Sequence, residues 1–150
     1  MRIARFIAAG FGTGYAPLAA GSVASAAAVV TGAGLQLLSP WVLAMAALLA
    51  TFGGYLAIKR AAIEGDPGWV VIDEFAGQWI TLLALGRPTI TGLFAAFTLF
   101  RLFDVTKPGP VGWADRRHGP FGIMADDVIA GCIAAALLIL IRLSRPELLM

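Results

Sequence analysis

The chain has 150 residues, a formal net charge of +2 and a single cysteine, Cys132. It is 59% hydrophobic and only 13% charged, whereas a soluble domain carries about 25% charged residues. The length favours one domain over residues 1–150, and the low charge argues against a soluble one. The small net charge gives no basic stripe with interleaved aromatic residues, so nucleic-acid binding is not indicated. One cysteine excludes an intramolecular disulfide.

The hydrophobic pattern predicts an all-α fold, an integral membrane helical bundle with about five membrane-embedded helices. No charged residue or histidine occurs from Phe6 to Ile58. The predicted helices cover residues 22–38, 41–58, 70–85, 89–103 and 126–143, and residues 2–9 form a short interfacial helix. About 20 residues cross a bilayer core. The third and fourth helices are shorter, which leaves the number of full spans open.

The distribution of lysine and arginine predicts a cytoplasmic N-terminus. Cytoplasmic segments of membrane proteins carry an excess of these residues, and this orientation places seven of them in the cytoplasm and three on the opposite side. The Gly-rich stretch before the first helix, the start of the third, the end of the fourth and the start of the fifth then share one membrane face. The sequence therefore predicts that its reactive groups converge at the cytoplasmic interface.

The acidic residues are few and lie at predicted helix ends. Asp73 and Glu74 begin the third helix, Asp104 ends the fourth, and Asp126 and Asp127 open the fifth. Ionisable groups are costly within a membrane, so a functional site is the default interpretation. Helix capping is the competing interpretation for Asp126, because acids suit a helix N-terminus.

Two of these acids begin the same short pattern, Asp-x-x-Ala-Gly. It occurs as "DEFAG" from Asp73 and as "DVIAG" from Asp127. Residues four apart share a helix face, and small residues on that face allow a neighbouring helix to approach closely. The pattern predicts that a helix contact brings the two carboxylates together.

Two cations accompany the acids. Arg101 lies three residues before Asp104, and Lys107 follows just before Pro108. An ion pair with a basic, lipid-binding loop is one interpretation, and a phosphate clamp beside a metal site is the other. Carboxylate oxygens suit Mg²⁺. Zinc is not indicated, because Cys132 and His118 are each alone.

The segment "GFGTGYAPLAAGSVAS" (residues 10–25) is rich in glycine but lacks the Gly-Lys-Ser/Thr of a Walker A loop. Gly12 and Gly14 give a weak phosphate-loop signal, and a tight entry into the first helix is equally compatible. Ser22 is a candidate N-cap for that helix, whose free N–H groups would favour an anion.

Four motifs together resemble the phosphatidylglycerophosphatase A family. They are "GTGYAPLAAGSVAS", "IDEFAGQWITLLAL", "FRLFDVTKPGPVGWAD" and "GPFGIMADDVIAG", in the family's order. The resemblance implies a small bacterial membrane enzyme that removes the terminal phosphate of phosphatidylglycerophosphate with Mg²⁺. Its motif positions carry over to Gly12, Gly14, Pro17, Gly21, Ser22, Ser25, Asp73, Glu74, Arg101, Asp104, Lys107, Asp115, Asp126 and Asp127. Ala20, Ser22 and Ala24 stand where the family usually has proline, threonine and glycine.

The resulting hypothesis is a Mg²⁺-dependent phospholipid phosphatase of phosphatidylglycerol biosynthesis in the bacterial inner membrane, with its active site facing the cytoplasm. The expected metal residues are Asp73, Glu74, Asp104, Asp126 and Asp127, and all but Asp126 are also catalytic candidates. The expected phosphate-binding residues are Arg101, Lys107, Gly12, Gly14 and Ser22. The competing hypothesis is a non-enzymatic carrier or helical subunit with acids at its helix ends. The sequence leaves the oligomeric state open.

Overall fold

The computed structural model describes residues 1–150 and contains helices and turns but no strands, which confirms the all-α prediction. The α-helices are α1 (Arg2–Ala8), α2 (Ala20–Leu38), α3 (Pro40–Arg60), α4 (Ile72–Leu82), α5 (Ile90–Thr106), α6 (Pro110–Asp115) and α7 (Gly119–Ser144). Two 3₁₀ segments complete the chain, at Gly10–Tyr15 and Pro146–Leu149.

Three helices, α2, α3 and α7, are long and apolar enough to cross a membrane. With 11 residues, α4 is only about 17 Å long at a rise of 1.5 Å per residue. That is roughly half of the ~30 Å hydrocarbon core of a bilayer. The structure therefore confirms a membrane-type helical bundle but does not confirm five full spans. It contains the short N-terminal helix α1, and the position of α1 at an interface stays a prediction.

The short helix α4 is the centre of the bundle, and ten of its 11 residues are buried. It packs against α2, α3, α5 and α7. Hydrogen bonds tie it to α2, because Trp79 Nε1 donates to the carbonyl of Ala28 at 2.9 Å and Gln36 Nε2 donates to that of Leu82 at 3.3 Å. The acids at the start of α4 are consequently enclosed by its neighbours.

The helices bring their polar ends to one end of the bundle. Gly21, at the start of α2, lies against Glu74 at the start of α4 and close to Arg101 near the end of α5. At the opposite end, Arg142 near the end of α7 donates to the carbonyl of Ala84, just beyond α4, at 2.8 Å. Thus α2, α4 and α7 run away from the polar end and α5 runs toward it. The predicted convergence of these helix ends is confirmed.

Two expectations about helix starts were wrong. The last helix begins at Gly119 instead of Asp126, so Asp126 lies about two turns inside α7 and His118 is the N-cap. Pro120 stands in the first turn, where its missing N–H costs nothing. Similarly, α2 begins at Ala20 after Ala19, which takes a left-handed conformation. Ser22 therefore lies inside the first turn and does not cap it.

Candidate metal and phosphate site

A polar cavity of about 450 Å³ opens at the end of the bundle where α2, α4 and α7 begin. Its lining is dominated by charged side chains. Six carboxylates and two cations face it, namely Asp66, Asp73, Glu74, Asp104, Asp126, Asp127, Arg101 and Lys107. Because the acids outnumber the bases, further positive charge nearby would stabilise the ionised carboxylates.

Asp73, Glu74 and Asp127 form the innermost group, the carboxylate triad. One oxygen of each lies within 4.8 Å of the others, and the three residues are only 8%, 9% and 2% exposed. Asp73 Oδ1, Glu74 Oε2 and Asp127 Oδ2 are buried without a hydrogen-bond partner. Unpartnered buried carboxylates are strongly unfavourable. Three converging oxygen ligands fit a hard divalent cation such as Mg²⁺, which binds oxygen and tolerates water in its remaining positions.

The two Asp-x-x-Ala-Gly patterns produce this convergence. Gly77 of α4 and Gly131 of α7 face each other, so the two backbones are in direct contact. Asp73 and Asp127 each lie one turn before their glycine and are thereby held at the same level. The helix contact predicted from the spacing is confirmed.

Arg101 forms one positive wall of the cavity. Its guanidinium pairs with Asp104, one turn further along α5, and its Nη1 lies 3.8 Å from Glu74 Oε1. The ion pair between Arg101 and Asp104, one of the two interpretations of the sequence, is present in the structure. Asp104 thus fixes a cation at the edge of the carboxylate triad.

Lys107 is surrounded by three carboxylates. Its Nζ lies 2.5 Å from Asp126 Oδ2, 3.0 Å from Asp115 Oδ1 and 3.8 Å from Asp104 Oδ1. Partial burial acts to lower the pKa of Lys107, but the hydrogen bonds and charges of Asp126, Asp115 and Asp104 outweigh it, and the net pKa is raised. Lys107 is therefore firmly protonated.

The structure separates the two adjacent aspartates of α7. Asp126 Oδ2 accepts from Lys107, and Asp126 Oδ1 accepts from the backbone N–H of Asp127 at 2.9 Å. Asp127, in contrast, belongs to the carboxylate triad. Asp126 and Asp104 thus have cationic partners on the protein, whereas Asp73 and Asp127 have none.

The Gly-rich segment reaches the cavity only in part. Ala19, Ala20, Gly21 and Ser22 line it, and α2 begins there without a side-chain cap. Gly12 and Gly14 are not among the lining residues. They lie in the 3₁₀ segment Gly10–Tyr15, where Gly14 is buried against the backbone of Trp69.

A second cavity of about 140 Å³ adjoins the first, and the two share Asp66 and Asp126. His118 and Arg117 also line it. Asp66 lies in the loop between α3 and α4 and was not among the site residues predicted from the sequence. Its position shortly before the acidic start of α4 is the one feature of the sequence that could have indicated a role in the site. Only the folded chain shows that this loop returns to the cavity.

The fold and the site are those of a membrane-type helical protein with a buried carboxylate cluster that could hold a metal ion, beside two basic side chains. The family model of phosphatidylglycerophosphatase A matches residues 6–142, and the chain belongs to this family. It is 41% identical over 137 residues to phosphatidylglycerophosphatase A of Escherichia coli (strain K12), covering 88% of this chain and 79% of that protein.

Two further relatives cover most of the chain. A protein of Bacteroides thetaiotaomicron named putative phosphatidylinositol-3-phosphatase is 37% identical, over 91% of each chain. Phosphatidylglycerophosphatase A of Haemophilus influenzae is 38% identical, over 91% of this chain and 86% of its own. No solved structure matches the chain significantly.

Proposed function

We propose that the protein is a Mg²⁺-dependent lipid phosphatase that hydrolyses the terminal phosphomonoester of phosphatidylglycerophosphate to give phosphatidylglycerol. The observation that carries this proposal is the carboxylate triad, whose buried and unpartnered oxygens lie beside Arg101 at one end of a membrane-type bundle. The names of the relatives in Escherichia coli and Haemophilus influenzae support the same substrate.

Asp73, Glu74 and Asp127 would hold the cation. When bound, Mg²⁺ supplies Lewis-acid polarisation of a phosphoryl oxygen and activation of water. Asp104 and Asp126 contribute differently, because each is engaged by a basic side chain. They hold Arg101 and Lys107 in the cavity, where these cations can reach a phosphate.

The phosphate would lie between the first turn of α2 and the two basic side chains. Arg101 can give charge-assisted hydrogen bonds to phosphate oxygens, and the uncapped start of α2 offers free N–H groups and a positive dipole end. Ser22 adds a hydroxyl at the same wall. Gly12 and Gly14 shape the chain before α2 in this proposal and do not contact the phosphate.

Hydrolysis then requires water to attack phosphorus in line with the leaving glycerol oxygen. The bond between phosphorus and that oxygen breaks, the oxygen takes up a proton, and inorganic phosphate is released. The proton lost by the attacking water passes to a carboxylate of the cavity. Arg101 and Lys107 stabilise the negative charge that develops on the phosphoryl oxygens.

The bilayer would surround α2, α3 and α7 fully, with α4 and α5 embedded beside them and α1 at the interface. The polar end would face the cytoplasm of a bacterial inner membrane, as the excess of basic residues there favours. The carrier alternative is disfavoured, because its acids would be expected near the membrane midplane and these line a cavity at one end.

One assay tests the activity. Purified protein in detergent receives phosphatidylglycerophosphate with Mg²⁺ or with a chelator, and phosphate release is measured. We expect release only with Mg²⁺, and no Mg²⁺-dependent release would refute the proposal. Phosphatidylinositol 3-phosphate and phosphatidic acid are parallel substrates. Faster turnover of phosphatidylinositol 3-phosphate would favour the activity named for the Bacteroides relative.

The orientation is tested separately by cysteine labelling. In a Cys132→Ala background, Arg116→Cys places a thiol on the exposed side of the segment after α6. We expect an impermeant reagent to leave this thiol unlabelled in intact cells and to label it in permeabilised cells. Labelling in intact cells would place the polar end outside the cytoplasm.

A further inference from the structure

Two polar side chains are buried beneath the carboxylate triad without any hydrogen-bond partner. Gln78 and Ser25 are both 0% exposed. Gln78 Nε2, Gln78 Oε1 and Ser25 Oγ all lack a partner within the protein. A primary amide has two donors and an acceptor oxygen with two lone pairs, so Gln78 leaves its whole capacity unused. Such groups are ordinarily satisfied by ordered water when the site is polar.

The positions of these residues relate them to the site. Gln78 lies one turn beyond Glu74 on α4, and Ser25 lies one turn beyond Gly21 on α2. Helices α2 and α4 are in contact at two places, one nearer the polar end, at Gly21 against Glu74, and one further from it, at Ala28 against Trp79. Ser25 and Gln78 therefore occupy the interval between those contacts.

The direction expected for a long helical side chain also relates Gln78 to the triad. Long side chains on a helix lean toward its N-terminus, over the preceding turn. Because α4 begins at the polar end, we expect the long side chain of Gln78 to lean toward Glu74. This direction would bring the free amide of Gln78 toward the triad, with Ser25 on the neighbouring helix α2.

Other polar residues of the same bundle behave differently. Gln36 is buried at the far end of α2, where its Nε2 donates to the carbonyl of Leu85 at 2.7 Å while its Oε1 has no partner. Thr81 is buried one turn beyond Gly77, and its Oγ1 donates to the carbonyl of Gly77 at 2.8 Å. Gln36 and Thr81 thus each make at least one side-chain hydrogen bond to the protein, whereas Gln78 and Ser25 make none.

We propose that Gln78 is a positioning residue, which together with Ser25 holds ordered water beneath the triad and, through that water, fixes the orientation of the Glu74 carboxylate. This inference rests on the proposed cation-binding function of Glu74. Hydrogen bonds that orient metal-ligating side chains commonly change metal affinity by about 10–100-fold when they are removed.

The test is direct Mn²⁺ binding, followed by electron paramagnetic resonance of the purified protein in detergent. We expect Gln78→Leu to weaken Mn²⁺ binding by about 10-fold and to change the Mn²⁺ spectrum, with excess Mg²⁺ restoring kcat. The matched control is Gln36→Leu, which removes a buried amide from the far end of α2. We expect this variant to lose thermal stability while its Mn²⁺ affinity stays at the wild-type value.

The outcomes separate this inference from the proposed function. A wild-type protein that binds no Mn²⁺ overturns the cation-dependent function itself. Wild-type binding with equal affinity in Gln78→Leu overturns the positioning role alone. If Gln78→Leu does not fold, Ser25→Ala provides the second measurement, because it removes one hydroxyl and leaves no large gap. We expect weaker Mn²⁺ binding in Ser25→Ala, and wild-type affinity there would overturn the proposal.

Discussion

Gly131 of α7 lies directly against Gly77 of α4, so that a Cβ atom built on Gly131 would stand 2.9 Å from the Cα atom of Gly77. A Cβ atom on Gly77 would in turn meet the carbonyl oxygen of Asp127 at 2.5 Å. The backbones of the two helices are therefore in direct contact at these glycines. Since Asp73 and Asp127 lie one turn before these glycines, the contact sets the distance between two members of the carboxylate triad.

Gly131→Ala is expected to push α4 and α7 apart. Overpacking a tight contact costs about 1–3 kcal/mol, and separating the helices should also weaken cation binding. Thermal unfolding in detergent and Mn²⁺ titration measure the two effects. Gly34→Ala is the matched control, because a Cβ atom there meets nothing within 4 Å and alanine raises helix propensity by up to about 1 kcal/mol. Equal behaviour of the two variants would contradict the role of the contact.

The sequence predicted the parts of the site that depend on local spacing. The i,i+4 relation of Asp73 to Gly77, repeated from Asp127 to Gly131, predicted the α4–α7 contact, because helix periodicity alone places those residues on one face. The ion pair of Arg101 with Asp104, one of the two interpretations of the sequence, depends on the same helix periodicity.

The relations that the sequence did not predict depend on distant parts of the chain. Asp126 was assigned to a helix start because the glycines and prolines before it resembled a loop, whereas Pro120 begins the helix. Its partner Lys107 is 19 residues away and is positioned by the turn after α5. The burial of α4 and the position of Gln78 depend on four neighbouring helices, which no local pattern specifies.

The adjacent aspartates are expected to respond differently to the same substitution. Asp127→Asn removes a charge from the triad and should abolish Mn²⁺ binding and phosphate release. Asp126→Asn leaves the triad intact but removes the carboxylate that holds Lys107 in the cavity. We therefore expect a higher KM for the lipid, because Lys107 is less well placed to bind the phosphate, and little change in Mn²⁺ affinity. Isothermal or spectroscopic Mn²⁺ titration distinguishes the two. Loss of Mn²⁺ binding in Asp126→Asn to the same extent would show that Asp126 is itself a ligand.

Lys107→Asn is expected to destabilise the protein at neutral pH. Lys107 has a left-handed backbone, with a φ of 47°, which asparagine tolerates. The substitution therefore removes the charge that neutralises Asp126 and Asp115 with little backbone strain.

The pH dependence of this effect has a defined sign. The pKa of Lys107 is raised in the folded protein, so its stabilisation is fully present below the unfolded value of about 10.4 and is lost only as pH rises through the folded pKa. The Tm difference between wild type and Lys107→Asn should thus stay constant from about pH 7 to pH 10. A difference that vanishes within this range would contradict the ion-pair assignment.

Gly21→Ala is expected to inactivate the enzyme without weakening α2. A Cβ atom on Gly21 would collide with Glu74 Oε1 and stand 3.3 Å from Arg101 Nη1, so it displaces a triad carboxylate together with the cation that we propose binds the phosphate. Misplacing reactive groups by about 1 Å can cost about 10²-fold in rate, and we expect a loss of kcat of that order. Alanine is a better helix former than glycine. We therefore expect no large fall in Tm, which separates the loss of kcat from a disruption of α2. Gly53→Ala on α3, where a Cβ atom meets nothing within 4 Å, should keep wild-type kcat. Wild-type kcat in Gly21→Ala would mean that the start of α2 does not shape the site.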